Sequence, residues 1–74
     1  MNLLTELRKI SKDHKLNGDL KLKIKLKDGQ IKEGRYDSYS SACDNDPEIP
    51  SILISKENFY IELFENEIDS IEVI

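Results

Sequence analysis

The chain reads as a mainly β domain, five short antiparallel strands curled into a strongly bent small barrel behind one N-terminal α-helix. Three observations predict it. From Leu20 to Lys27, aliphatic residues alternate with Lys without a break, and period two is the signature of a strand with one buried face. Turn-forming clusters at Asp28-Gly29, Lys56-Glu57-Asn58 and Glu65-Asn66-Glu67 cut the remainder into runs of strand length. Helical spacing of apolar residues is confined to the first fourteen positions.

The elements follow in order. Residues 2–14 form a short amphipathic helix, with Leu3, Leu7, Ile10 and His14 on one stripe and Leu4 beside it. Asn2 suits the N-cap, because its side chain accepts from backbone N–H groups that have no helical partner. Asn17-Gly18 is read as the C-terminal stop, through a left-handed glycine. A helix this short needs a surface on which to lay its stripe. The first strand spans about 19–27 and turns at Asp28-Gly29, a pair that accepts positive φ. The second strand spans about 30–41, and Gly34 within it implies a bulge or a sharp bend. Residues 43–50, with two prolines among Asp and Asn, form a loop. Three further strands span about 51–55, 59–64 and 68–74. In the fourth strand Phe59, Ile61 and Leu63 are expected to fill the core face, with Tyr60 and Phe64 on the other. Closing five such strands into a barrel removes exposed sheet edges.

Length and composition narrow the class. Residues 1–74 form one domain, since chains divide at roughly 100–200 residues per domain. At 38% hydrophobic and 35% charged residues, the chain is too apolar for a disordered tail. No run approaches the roughly 18 apolar residues of a membrane helix, and the N-terminus lacks the features of a signal peptide. A single Cys43 rules out an internal disulfide framework and a multi-cysteine zinc site. A cytoplasmic protein without membrane attachment is expected. Charge is unevenly spread. Residues 1–36 carry ten Lys/Arg against five acids, a balance of +5; residues 37–74 carry Lys56 against ten acids, a balance of −9. Because the acidic half is rich in strand-forming residues, the two halves are expected to pair with each other.

The run Leu22-Lys23-Ile24-Lys25-Leu26-Lys27-Asp28-Gly29, followed five residues later by Gly34, resembles the first motif of the Sm-like family. There, a hydrophobic strand, an Asp-Gly turn and a bent glycine open the barrel. The closing stretch Glu67–Ile74 resembles the final Sm strand, and the likeness covers essentially the whole chain. The resemblance implies an Sm-like barrel whose subunits associate by pairing the fourth strand of one with the fifth of the next. Tyr60, Phe64 and Ile74 would then lie at the oligomer interface. It also implies the family's RNA contacts, and here the chain departs from the pattern. The loop positions that carry Asp, an aromatic and Asn in RNA-binding members fall on Ser40, Ala42 and Asp44. The Arg-Gly turn of the second motif is replaced by the acidic Phe64-Glu65-Asn66-Glu67.

Other chemistry lacks parts. His14 is the sole histidine and Cys43 has no base beside it in sequence, so no nucleophile–base pair is evident and an enzyme is not expected. Asp37, Asp44, Asp46 and Glu48 do not match a calcium loop, whose glycine would fall on Ile49 and bidentate Glu on Ser55. No metal or cofactor is expected. The stripe Lys21, Lys23, Lys25 and Lys27 admits two readings. One is a solvated face opposite Glu33, Asp69 and Glu72; the other is a phosphate-backbone track. Nucleic-acid contact would draw on Lys21, Lys23, Lys25, Arg35, Tyr39 and Asn45. With nine Lys to two Arg, such contact lacks bidentate base readout. Four neutralised phosphates give a log–log salt slope of only about −3 on single strands. The expected function is therefore a non-enzymatic interaction or assembly module that self-associates or binds a protein partner. An RNA-binding module of the bacterial Sm-like chaperone kind stands second.

Overall fold

A computed structural model describes all of residues 1–74. Helix α1 (Leu3–Ser11) is followed by strands β1 (Lys21–Leu26), β2 (Ile31–Ser40), β3 (Ser51–Lys56), β4 (Phe59–Phe64) and β5 (Ile68–Val73). All five strands belong to one antiparallel sheet in the order β4-β3-β2-β1-β5. The basic β1 therefore lies between β2 and the acidic β5, joined by backbone ladders.

The connection from β4 to β5 bends this sheet. The two strands are its opposite edges, about 19 Å apart in a flat five-stranded sheet at 4.7–4.9 Å per strand. Yet only the 3₁₀ turn Glu65–Glu67 separates Phe64 from Ile68, and four residue steps span at most about 14 Å. The edges are thus drawn together at one end. They do not pair, and the expected closure into a barrel is not formed: β4 and β5 remain open edges.

The core is the inner face of this curl. Leu20, Leu22, Ile24 and Leu26 of the first alternating run are buried, and so are Tyr36, Ile52, Ile54, Leu63 and Ile68. Leu3 and Leu7 of α1 join the same cluster, with Ile10 packed at its margin. Asn2 caps the helix as its side chain accepts from Thr5 N–H at 3.0 Å. The helix is shorter than its sequence suggests. It ends at Ser11, with Lys12 in the right-handed region, and His14 is exposed. Gly18 does not take the expected left-handed cap, and only Gly29 among the glycines has positive φ, at 93°.

Gly29 lies in the β1–β2 turn, where its N–H donates to Leu26 C=O and the Asp28 carboxylate accepts from Gln30 N–H. Gly34 has a different task. A Cβ there would lie 2.7 Å from the Ser55 carbonyl oxygen and 3.2 Å from Ile54 Cδ1, so β2 and β3 approach closely because the side chain is missing. The bulge itself falls three residues later, between Tyr36 and Ser38.

Phe59 departs from expectation. It is 51% exposed, while Leu63 on the same strand face is buried and Ile61 half-buried. Its partner is Lys56 at the β3–β4 turn, beyond the last buried rung, Ile54–Ile61, and β4 has no strand on its other side. Core contact fades along the strand from Leu63 to Phe59.

Candidate functional site

Two features of the surface remain unexplained by packing. One is the pair of open edges. Tyr60 is 65% exposed, Phe59 nearly as much, and Ile74 at the end of β5 is 56% exposed. Phe64 is half-buried and pairs with Ser51. On the outer face of the sheet, Tyr60, Glu62 and Phe64 are the cross-strand partners of Ser55, Leu53 and Ser51. Tyr60 and Phe64 thus flank the half-buried Leu53.

The other feature is a cleft of about 580 Å³ lined by Lys21, Glu33, Gly34, Arg35, Ser55, Lys56, Glu57 and Ile74. It crosses the outer face at one end of the sheet. Lys21 is the direct cross-strand partner of Arg35, and Arg35 of Ser55. Ile74 N–H donates to Lys21 C=O at 3.1 Å, which fixes β5 along the other side. Lys56 ends β3 and Glu57 begins the β3–β4 turn, with φ of 54°. The only ion pair in the chain within 4.0 Å is Lys9–Glu6 at 3.7 Å, on α1. None of the three cleft cations is therefore neutralised by direct contact.

The lysine stripe divides accordingly. Lys23 stands between Glu33 and Glu72, as the solvated-face reading requires. Lys25 faces Ile31 and Ser70, and Asp69 falls at the register shift between Lys25 and Leu26 without a partner in the pairing. Lys21 faces another cation. The six residues proposed for nucleic-acid contact are not brought together. Lys21 and Arg35 share the cleft, whereas Tyr39 is half-buried and pairs with Ile52. Asn45 ties down the 45–50 loop: its amide donates to Ile49 C=O at 2.6 Å and to Ser51 Oγ at 3.1 Å, and that hydroxyl donates to Glu62 at 2.9 Å. Ser51 is the one buried polar residue, and this network satisfies it.

Tyr36 offers no stacking platform either. It lies in the core, where burial first and the Asp37 carboxylate second push its phenol above the ordinary value of 10.0. The acidic turn after β4 has a structural task. Glu65 Oε2 accepts from Leu3 N–H at 2.8 Å, placing a carboxylate at the positive end of α1. Among the other acids and the thiol, Asp44 accepts from Ser41 Oγ and Cys43 is exposed. No three His, Cys, Asp or Glu side chains converge on a common point, and no helix is long and apolar enough to cross a membrane.

Lys56 and Glu57 were not singled out by sequence, since a Lys-Glu-Asn turn looks like any solvated turn. Only the register that sets Arg35 beside both Lys21 and Ser55 gives them neighbours. Comparison with family models, curated proteins and solved structures finds no match to this chain.

Proposed function

We propose that the protein is an assembly module of Sm-like type that works by self-association, or by adding a partner's strand, along β4 and β5. The observation that supports this reading is the pair of open six-residue edges, one of which carries the exposed Phe59 and Tyr60. Free edges present unpaired backbone groups and template further pairing. Neither strand contains the Pro or Lys that commonly blunts an edge. A β4-to-β5 junction between copies would supply the closure that one chain lacks. Each aromatic fully buried there would contribute roughly 1.5–3 kcal/mol.

RNA binding is the weaker reading for this site. Asn45 is engaged within its own loop, Tyr36 is in the core, and the acidic turn caps the helix. No aromatic lines the basic cleft, so bases have no stacking surface there.

The test is the mass of the chain in solution at high micromolar concentration, by light scattering and native mass spectrometry. The expected result is a discrete oligomer that the double substitution Phe59→Glu, Tyr60→Glu converts to monomer. Both positions are exposed, so the fold tolerates the change. A monomer at all concentrations, or an oligomer that the substitutions leave intact, refutes self-association.

A further inference from the structure

Like charges placed directly opposite in a sheet repel and destabilise the pairing. Lys21 and Arg35 are such a pair. They stand on one side of the outer face, with Lys56 on the rim of the same cleft and no carboxylate within 4.0 Å of any of them. Among the charged side chains that line the cleft, Lys21, Arg35 and Lys56 outnumber Glu33 and Glu57 by one. Lys23, directly across from Glu33, offsets that acid from outside the cleft. The repulsion between Lys21 and Arg35 is relieved if an anion lies between them.

We infer that this cleft binds a small phosphorylated polyol, its phosphate held by Lys21 and Arg35, with Lys56 at the end of β3 on the rim. Arg35 supplies a planar fork that matches two phosphate oxygens, and the lysines act as mobile point charges. The Ser55 hydroxyl and the Glu33 and Glu57 carboxylates are acceptors for the hydroxyls of a sugar. A volume of about 580 Å³ exceeds what one phosphate fills, and it falls in the range of small-molecule sites. The lining also selects against other anions. Ile74 is its one hydrophobic residue and no aromatic is present, so a nucleobase or an acyl chain finds no apolar wall. The inference does not rest on the β4 and β5 junction proposed above, although Ile74 at the end of β5 borders both.

The experiment titrates ¹⁵N-labelled protein with ribose 5-phosphate, ribose and inorganic phosphate, at constant ionic strength made up with chloride. Ribose 5-phosphate should give saturable shifts confined to the amides of Lys21, Gly34, Arg35, Ser55 and Lys56. Inorganic phosphate should bind the same amides more weakly, and ribose should leave them unmoved. Lys21→Gln and Arg35→Gln should each weaken binding roughly tenfold or more, the loss of one charge-assisted contact. Neither should lower the melting temperature of the free protein, because each removes a like-charge neighbour. Lys25→Gln, on the same stripe outside the cleft, should leave affinity unchanged. Equal weakening by Lys25→Gln, shifts spread over all the lysines, or no saturable binding overturns the inference. Tight binding of a single-stranded oligonucleotide without binding of ribose 5-phosphate also overturns it.

Discussion

Replacing Gly34 with Ala probes the close approach of β2 and β3 beside the cleft. The new Cβ would sit 2.7 Å from a backbone oxygen, Ser55 O, and 3.2 Å from Ile54 Cδ1. The oxygen belongs to a strand paired on both sides, so it cannot swing away as a flexible side chain would, and Ile54 is fully buried. Overpacking of this kind costs about 1–3 kcal/mol. The alanine recovers about 0.4–1 kcal/mol by restricting the unfolded chain, which leaves a net loss of about 1–2 kcal/mol. A domain of this length has roughly 4–11 kcal/mol in total at 0.05–0.15 kcal/mol per residue. Urea unfolding followed by far-ultraviolet circular dichroism should show a midpoint lowered by about 1–2 M, for a slope near 1 kcal/mol per M. Gly18→Ala is the internal control, since nothing lies within 4 Å of that position and its φ is not positive; its midpoint should stay level or rise. A Gly34→Ala protein as stable as the parent would show that β2 and β3 do not need the missing side chain.

Three further outcomes are expected. Glu65→Ala should destabilise by about 1–2 kcal/mol through loss of the carboxylate that accepts from Leu3 N–H, and Glu65→Gln should recover part of it; thermal melts of the two variants measure this. Tyr36 has a raised phenol pKa, so above the unfolded value of about 10 the unfolded chain loses the proton first. Its stabilising contribution is complete below that pH and is lost as pH rises through the folded value, and Tyr36→Phe should flatten the alkaline fall in urea midpoint. β4 carries Glu62 and β5 carries Asp69 and Glu72, with no cation on either strand. Self-association through these edges should therefore strengthen as salt is raised from 20 to about 300 mM and the Debye length shortens; sedimentation velocity reads the shift, and weakening with salt would argue against an edge-to-edge contact.

Local pattern was sufficient for what depends on neighbours in sequence. The alternation from Leu20 to Lys27 determined a strand and its buried face, because a pleated strand sends successive side chains to opposite sides. Asn2 announced a helix start and Asp28-Gly29 a turn, since both rest on short-range hydrogen bonds and backbone sterics. Phe59 was misjudged because an apolar residue in step with the core side is not thereby in the core. Its exposure depends on where the last rung of packing ends, and on β4 being an edge. The acids at Glu65 and Glu67 looked like a lost binding turn until α1 was placed against Glu65 across 62 residues. The lysine stripe looked uniform, yet one register assigned Lys23 two acids, Lys25 none and Lys21 an arginine. Secondary structure was thus legible from the order of residues. The open edges, the helix cap and the cationic cleft were decided only by which strands lie side by side, because charge and exposure are set by neighbours distant in the chain.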